Sequence, residues 1–304
     1  MRIWFLNKDI YVKNETAPQN GMAPVVNGSK PADGGGLIFD AEVAAALKAV
    51  APNYMHIVRP FFGAHDATHG SGRYCIWASK EDYVALTDIK EFRNRFSMVA
   101  EMRGKSDKPL TKAGMNKPYE FQQIRQTGLE TVFQIPRHSS ESRDYYPVIA
   151  LPRGAIVGDG AFSFYDPPIW NIAVFASRLS LVWIGAVCGK IKTDFRFSNT
   201  LGWNTFPVPT LTEKNKADLT RCAEGILLTR EAHFPATIAD LYDPEKMPAD
   251  LREAHARNDE VLERIYIGRR FRNDTERLEK LFELYTKMTA SPAAAKKRKA
   301  GASA

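Results

Sequence analysis

Residues 189–209, GKIKTDFRFSNTLGWNTFPVP, concentrate side chains that could do chemistry. Lys190, Lys192 and Arg196 are cations, Phe195, Phe197 and Trp203 are planar rings, and Thr193, Ser198, Asn199, Thr200 and Asn204 are short hydrogen-bonding groups. Cations that neutralise phosphate, interleaved with rings and amides, suit a surface that grips nucleic acid. A second polar concentration is IPRHSSESRDYYP, residues 135–147. Arginine can read guanine with two parallel hydrogen bonds, and a carboxylate can accept from cytosine N4. Arg137, Glu141 and Arg143 are therefore expected to read base edges, with Ser139 and Ser140 beside them. On a strand, alternate residues would point such groups out of one face. The competing reading of both runs is a solvated loop or a polar hairpin whose charges pair with one another.

Other constellations carry less. Asp166-Pro167-Pro168 follows an apolar stretch, an order used where a carboxylate or amide accepts from a target amino group and an aromatic stacks on a flipped base. Ile169 stands in the aromatic position, and the nearest glycine pair, Gly158 and Gly160, is a few residues upstream. A cofactor loop and a Pro-Pro element need separate strands joined by a crossover, so no methyl-transfer site is expected there. His65 and His69 lie four apart with Cys75 beyond; on a helix that spacing could hold a metal. GAHDATHGSG reads as glycine-rich loop, so no metal site is expected. The glycine loop from Asp33 to Gly36 is followed by no GxGxxG or GxxxxGKS pattern, so it is not expected to cradle phosphate.

These side chains need a scaffold, and 304 residues suffice for two domains with sizeable cores. The apolar fraction of 44% and charged fraction of 25% are those of a globular protein. Lys296, Lys297, Arg298 and Lys299 supply four of the seven net positive charges, so the remaining chain is only mildly basic. Local distribution matters more: residues 88–117 hold eight Lys/Arg against four Asp/Glu. Three widely spaced cysteines, Cys75, Cys188 and Cys222, fit neither a disulfide framework nor a CxxC metal site, which points to a reducing, cytoplasmic setting. The first ten residues are too short an apolar run for a signal peptide. Residues 172–187 are broken by Ser177, Arg178 and Ser180, and no membrane helix is expected.

The fold class read from the chain is α+β. Residues 1–40 read as extended segments with turns, 41–51 as a helix ending before Pro52, and 73–79 as a strand. Residues 86–113 read as one long basic helix, with Ile89, Phe92, Phe96, Val99 and Met102 on one face. Lys90, Arg93, Arg95, Arg103 and Lys105 fall on the others. ETVFQIPR, YYPVIAL and AIVGDGAFSFY read as strands, and residues 172–189 as a buried helix. Three further helices are expected at 212–233, 248–266 and 274–289. Residues 1–168 are thus expected to form a mixed α/β domain, 169–290 a helical domain, and 291–304 a disordered basic tail.

Taken in order, NGSKPADGGGLIF, VRPFFGA, RYCIW, IPRHSSESRDYYP, FASRLSLVWIGAVCGKIKTDFRFSNTLGWNTFPVP, IADLYDPEKMPADLREAH and LFELY resemble the C-terminal part of the MmeI-like family. These are fused type II restriction–modification enzymes with adenine-specific, S-adenosylmethionine-dependent DNA methyltransferase activity. The resemblance spans residues 4–285 and covers the family's target-recognition and C-terminal helical modules. It implies double-stranded DNA as a partner and carries over Arg137, Ser139, Ser140 and Glu141 in the recognition module. It also carries over Lys190, Lys192, Asp194, Arg196, Ser198 and Asn204 in the later block. The departures are His138, Ser142 and Asp144, where relatives more often carry apolar or basic residues, and Gly202-Trp203. The family's cofactor glycine motif and Asn-Pro-Pro-Tyr motif lie upstream and have no counterpart here. The resemblance therefore implies no catalytic or cofactor-binding residue in this chain, and S-adenosylmethionine and methyl transfer on a partner domain or subunit, with or without a nuclease. The expected roles are phosphate contacts by Lys190, Lys192, Arg196, Ser198, Asn204, Arg93, Arg95, Arg103 and Lys105. Base reading is expected from Arg137, Ser139, Ser140, Glu141 and Arg143. The alternatives are a chain that itself transfers methyl groups or cuts DNA, and a degenerate fragment without DNA affinity.

Overall fold

The computed structural model describes residues 2–5 and 8–290, with side chains from Ile10 onward. The expected disordered tail, 291–304, lies outside the described residues. In chain order the first elements are β1 (Arg2–Phe5), β2 (Lys8–Tyr11), β3 (Val26–Asn27), β4 (Ile38–Phe39), α1 (Ala41–Val50), β5 (Val58–Phe62), α2 (Asp66–His69), β6 (Arg73–Ile76), α3 (Lys80–Leu86), α4 (Lys90–Gly104) and α5 (Pro109–Ala113). Next come β7 (Val132–Pro136), β8 (His138–Ser139), β9 (Ile149–Ala150), β10 (Ile156–Val157) and β11 (Ala161–Tyr165). The remainder is α6 (Trp170–Phe175), α7 (Arg178–Val187), β12 (Gly189–Ile191), β13 (Asp194–Arg196), α8 (Glu213–Ala232), α9 (Ile238–Leu241), α10 (Ala249–Ile267) and α11 (Asp274–Ala290). The fold is α+β: strands and helices mix up to Arg196, and helices alone follow Glu213.

Two compact units are interleaved along the chain. The first comprises residues 1–25, 137–148 and 167–304, and the second 26–136 and 149–166. The chain returns to the first unit at Pro167.

The second unit holds two four-stranded sheets, ordered β10-β5-β6-β4 and β3-β11-β7-β9. All pairings are antiparallel except β10 with β5. Its core gathers Leu37, Leu47, Ile57, Phe61, Ile76, Phe92, Phe96, Val99, Phe121 and Ile156. The long helix expected over 86–113 is two helices, α4 and α5, preceded by the end of α3. α3 is closed at its start by a reciprocal box between Ser79 and Asp82 and ends at Leu86, α4 restarts at Lys90, and Pro109 opens α5. Proline is preorganised for a helix's first turn and cannot continue a previous one.

In the first unit the single buried helix expected over 172–189 is also broken. Ser177 is extended, and its hydroxyl accepts from Ser180 N, so it caps α7 and separates it from α6. Around this junction Phe175 packs its ring 5.3 Å from those of Phe197 and Trp203, and Trp183 lies 5.1 Å from Phe282. α8 and α10 match the expected helices to within about a residue. No helix among the described residues is long and apolar enough to cross a membrane.

Candidate nucleic-acid interface

The two polar concentrations of the sequence meet in one three-stranded sheet of the first unit, ordered β12-β13-β8. β12 and β13 form a hairpin with Gly189 opposite Arg196, Lys190 opposite Phe195 and Ile191 opposite Asp194. β13 then pairs with β8, Phe195 opposite Ser139 and Arg196 opposite His138. Lys192 and Thr193 make the tip, and Lys192 has φ +55°. Two-residue hairpin loops need positive φ to match the strand twist; a lysine there costs about 1 kcal/mol relative to glycine.

Alternation along the strands sorts the side chains onto two faces. On one, Phe195 is half-buried against Gly185, where a Cβ would lie 3.1 Å from its ring. Lys190 Nζ sits 5.5 Å from the same ring and 3.2 Å from the Glu141 carboxylate. The opposite face carries His138, Gly189, Ile191, Asp194 and Arg196, all exposed. Gly189 has no side chain to obstruct Arg196, its strand partner. Partial burial, then the charges of Arg196 and Arg137, hold the His138 imidazole below its ordinary pKa. Near pH 7 it is neutral and offers one donor and one acceptor.

The expected base readers are not equally available. Ser139 is 3% exposed, and its hydroxyl accepts from the Arg143 guanidinium at 3.3 Å. Arg143 is itself half-buried, and burial lowers its pKa. Ser139 thus faces the interior of the sheet, and Arg143 is held against it. Ser140 Oγ lies 2.9 Å from Ser142 Oγ, Glu141 is exposed in its pair with Lys190, and Arg137 is half-buried.

Of the expected phosphate contacts, Lys190, Lys192 and Arg196 are exposed. Ser198 is half-buried, with Oγ 2.9 Å from Thr200 Oγ1. Asn204 is 2% exposed, and its amide donates to Glu15 O at 2.7 Å. It is a packing residue, because its segment folds inward between Trp203 and Phe206. Arg103 is also corrected: it is 1% exposed and donates to the carbonyls of Pro31, Ala32, Gly114, Lys117 and Glu120. A guanidinium has five N–H donors in a planar fork, and here it satisfies irregular backbone on both sides of α4. Arg95 likewise donates to Gly35 O and Gly36 O and lies 4.6 Å over the Phe39 ring. Arg93 and Lys105 remain exposed, Lys105 paired with Glu101 at 2.5 Å.

His138 and Ile191 join the exposed face through the strand pairing alone. Strand alternation turns Ser139 inward and His138 outward.

Neither glycine loop fits S-adenosylmethionine. A Cβ on Gly158 would lie 2.6 Å from the Phe61 ring, and one on Gly28 2.2 Å from Gly158 O, so both glycines serve close backbone packing. The 33–36 loop is closed by the Asp33 carboxylate, which accepts from Leu37 N and Ile38 N. Asp166, at φ +46°, accepts from Thr131 N and is a turn residue. His65 and His69 do lie on a helical turn rather than in plain loop, with rings stacked at 3.9 Å. Among the described residues no three His, Cys, Asp or Glu side chains group to hold a metal.

Comparison with known proteins matches this architecture. The family model described as "MmeI, target recognition domain" matches residues 6–210, and "MmeI, C-terminal domain" matches 211–292. The matched models thus meet after the sheet, between residues 210 and 211. DNA methyltransferase A of Bacillus subtilis (strain 168) is 33% identical over 284 residues, which are 93% of this chain and 32% of that protein. A solved structure of the Type IIL restriction-modification enzyme MmeI in complex with DNA superposes with a TM-score of 0.87 at 26% identity. It covers 93% of this chain and 38% of that one. The chain spans about a third of the length of these relatives. With recognition and C-terminal models matching nearly end to end, the chain belongs to the MmeI family.

Proposed function

We propose that this chain is the DNA-recognising part of an adenine-specific, S-adenosylmethionine-dependent DNA methyltransferase of a restriction–modification system. The observation that carries the reading is the exposed face of the β12-β13-β8 sheet, where Arg196, Asp194 and His138 stand together. A two-stranded ribbon fits the major groove of B-DNA. Asp194 and Arg196 are two residues apart on one strand, about 6.8 Å, or about two steps of 3.4 Å along a DNA strand. Arg196 suits the O6 and N7 acceptors of guanine, and Asp194 suits the N4 donor of cytosine. Lys192 at the tip and Lys190 neutralise phosphates, with Arg93 and Lys105 of α4 as further backbone contacts. This exchanges part of the labour expected from sequence: the ribbon reads, while Arg137 to Arg143 shape its edge.

Methyl transfer, with the adenine flipped out of the duplex, takes place on a partner domain or subunit that holds S-adenosylmethionine. A nuclease is a further candidate partner, a membrane is not, and the setting is the cytoplasm. The test is binding to duplex DNA across a salt series. A steep linear fall of log K with log salt supports the reading. Absence of binding at low salt sinks it, and tight S-adenosylmethionine binding by the chain alone would move catalysis into this chain.

A further inference from the structure

Asp259, on α10, is 3% exposed, and a buried carboxylate is a costly choice where an apolar residue would pack. Its two oxygens are divided between two chain segments. Oδ2 accepts from the Tyr145 hydroxyl at 2.9 Å, and Oδ1 accepts from the backbone N of Arg178 at 2.8 Å. Tyr145 follows two residues after Arg143, on the segment that begins with β8. Arg178 opens α7, which runs through Cys188 directly into β12. The carboxylate therefore joins the roots of the two limbs that pair to make the recognition sheet. Neighbouring contacts repeat the pattern. Arg178 Nη1 donates to Asp144 O at 3.1 Å and its Nη2 to Asp274 at 2.7 Å, while Arg252 of α10 pairs with the Asp144 carboxylate. The Tyr145 ring stacks 4.1 Å from that of His255, which is fixed by Ala176 O and the Tyr242 hydroxyl. Burial raises the pKa of Asp259, as expected for a carboxylate held for its geometry rather than its solvation.

We infer that Asp259 and Tyr145 are positioning residues for sequence readout: the C-terminal helical module pins the register of β8 against the β12–β13 ribbon. The inference rests on the proposed DNA-recognition reading. It commits to the ratio between preferred and random sequence, not to bulk affinity. Phosphate contacts tolerate small shifts of a lysine, whereas paired hydrogen bonds to base edges do not.

The experiment incubates the full chain with a pool of randomised 30-base-pair duplexes and sequences the bound fraction. Tyr145→Phe, which removes one hydroxyl, and Asp259→Asn are compared with Leu219→Ala, a core truncation on α8 that removes no hydrogen bond of Asp259 or Tyr145. The expected result is that Tyr145→Phe and Asp259→Asn lower the enrichment of the preferred sequence about tenfold. Total duplex affinity should stay within about twofold, with an unchanged salt slope. Leu219→Ala should keep the enrichment. Amide hydrogen exchange gives a readout independent of DNA: Tyr145→Phe should speed exchange at β8, β12 and β13 but not within α8. Unchanged enrichment, unchanged sheet exchange, or an equal loss for every sequence would overturn the positioning role. If the unsubstituted chain binds no duplex, the recognition reading itself has failed; normal binding with unaltered preference in the variants would overturn the pin alone.

Discussion

Arg196 and His138 stand directly opposite each other on adjacent antiparallel strands although 58 positions separate them in sequence. The guanidinium and the neutral imidazole share one exposed face, with Gly189 on the far side of Arg196 leaving it open. A fixed fork beside a group that can donate or accept suits the proposed reading of base edges. Arg196→Lys keeps the charge and loses the fork. It is expected to cost about 1–3 kcal/mol of discrimination between preferred and altered duplexes while leaving the salt slope of binding unchanged. Competition binding with single-base-pair variants measures it; an equal loss across all sequences would assign Arg196 to phosphate.

The Lys190–Glu141 pair, 3.2 Å and about half exposed on both sides, holds the lysine proposed to meet phosphate in an internal contact. Exposed pairs contribute little to stability, ~0–1 kcal/mol. Glu141→Gln is expected to leave the melting temperature nearly unchanged, tighten duplex binding a few fold at low salt and steepen the salt slope by about one. A weaker, sequence-selective complex would instead restore Glu141 as a base reader.

Arg103 and Arg93 belong to one helix and differ in what surrounds them. Arg103→Ala removes the shared guanidinium donor of five backbone carbonyls, of which Pro31 O, Gly114 O and Lys117 O keep a backbone N–H, and is expected to destabilise the protein by about 3 kcal/mol. Arg93→Ala is expected to change stability by less than about 0.5 kcal/mol. Urea unfolding followed by circular dichroism compares them, and equal stability of the two variants would contradict the buried role.

Two buried groups on α10 set opposing pH dependences. Burial, helped by the charge of Arg230, pulls the His255 imidazole from 6.5 down to about 3. The unfolded chain therefore binds an extra proton between those values, and stability falls as pH drops below 6.5. Burial pushes Asp259 from 3.8 up to about 6. There the folded chain binds the extra proton, so this contribution is present below 3.8 and is lost as pH rises through about 6. Each slope is at most about 1.4 kcal/mol per pH unit, and they offset one another where the windows overlap. Asp259→Asn is expected to expose a steeper acid loss, and His255→Gln a stability that declines as pH rises towards 6. Unfolding free energies at half-unit pH steps decide it; parallel profiles for both variants would refute the assignment.

What the sequence made legible was local. α8 and α10 announce themselves by apolar spacing and by caps such as Thr212, whose hydroxyl accepts from Asn215 N. The break at Ser177 was written in a capping residue but hidden by the apolar run around it. The break at 87–89 carries no glycine or proline. The pairing of His138 with Arg196 was not legible, because strand partners so far apart are chosen by the whole fold rather than by neighbours. Arg103 was misplaced for the same reason: its five acceptors come from residues 31–32 and 114–120, which periodicity along α4 cannot see.

The interleaving of the two units fixes an order of events as the chain is made. Asn14 meets Thr200 at 3.0 Å, Asn20 reaches Phe206 O at 2.7 Å, and the Trp203 indole donates to Ala23 O at 2.8 Å. Each of these contacts closes a loop that includes every residue of the second unit. A growing chain thus completes 26–166 before the first unit can close, and contacts at such separation form slowly. The second unit can fold early, as a self-contained piece. Asn14, Asn20 and Ala23 meet these partners only once the ribbon and its following turn have left the ribosome.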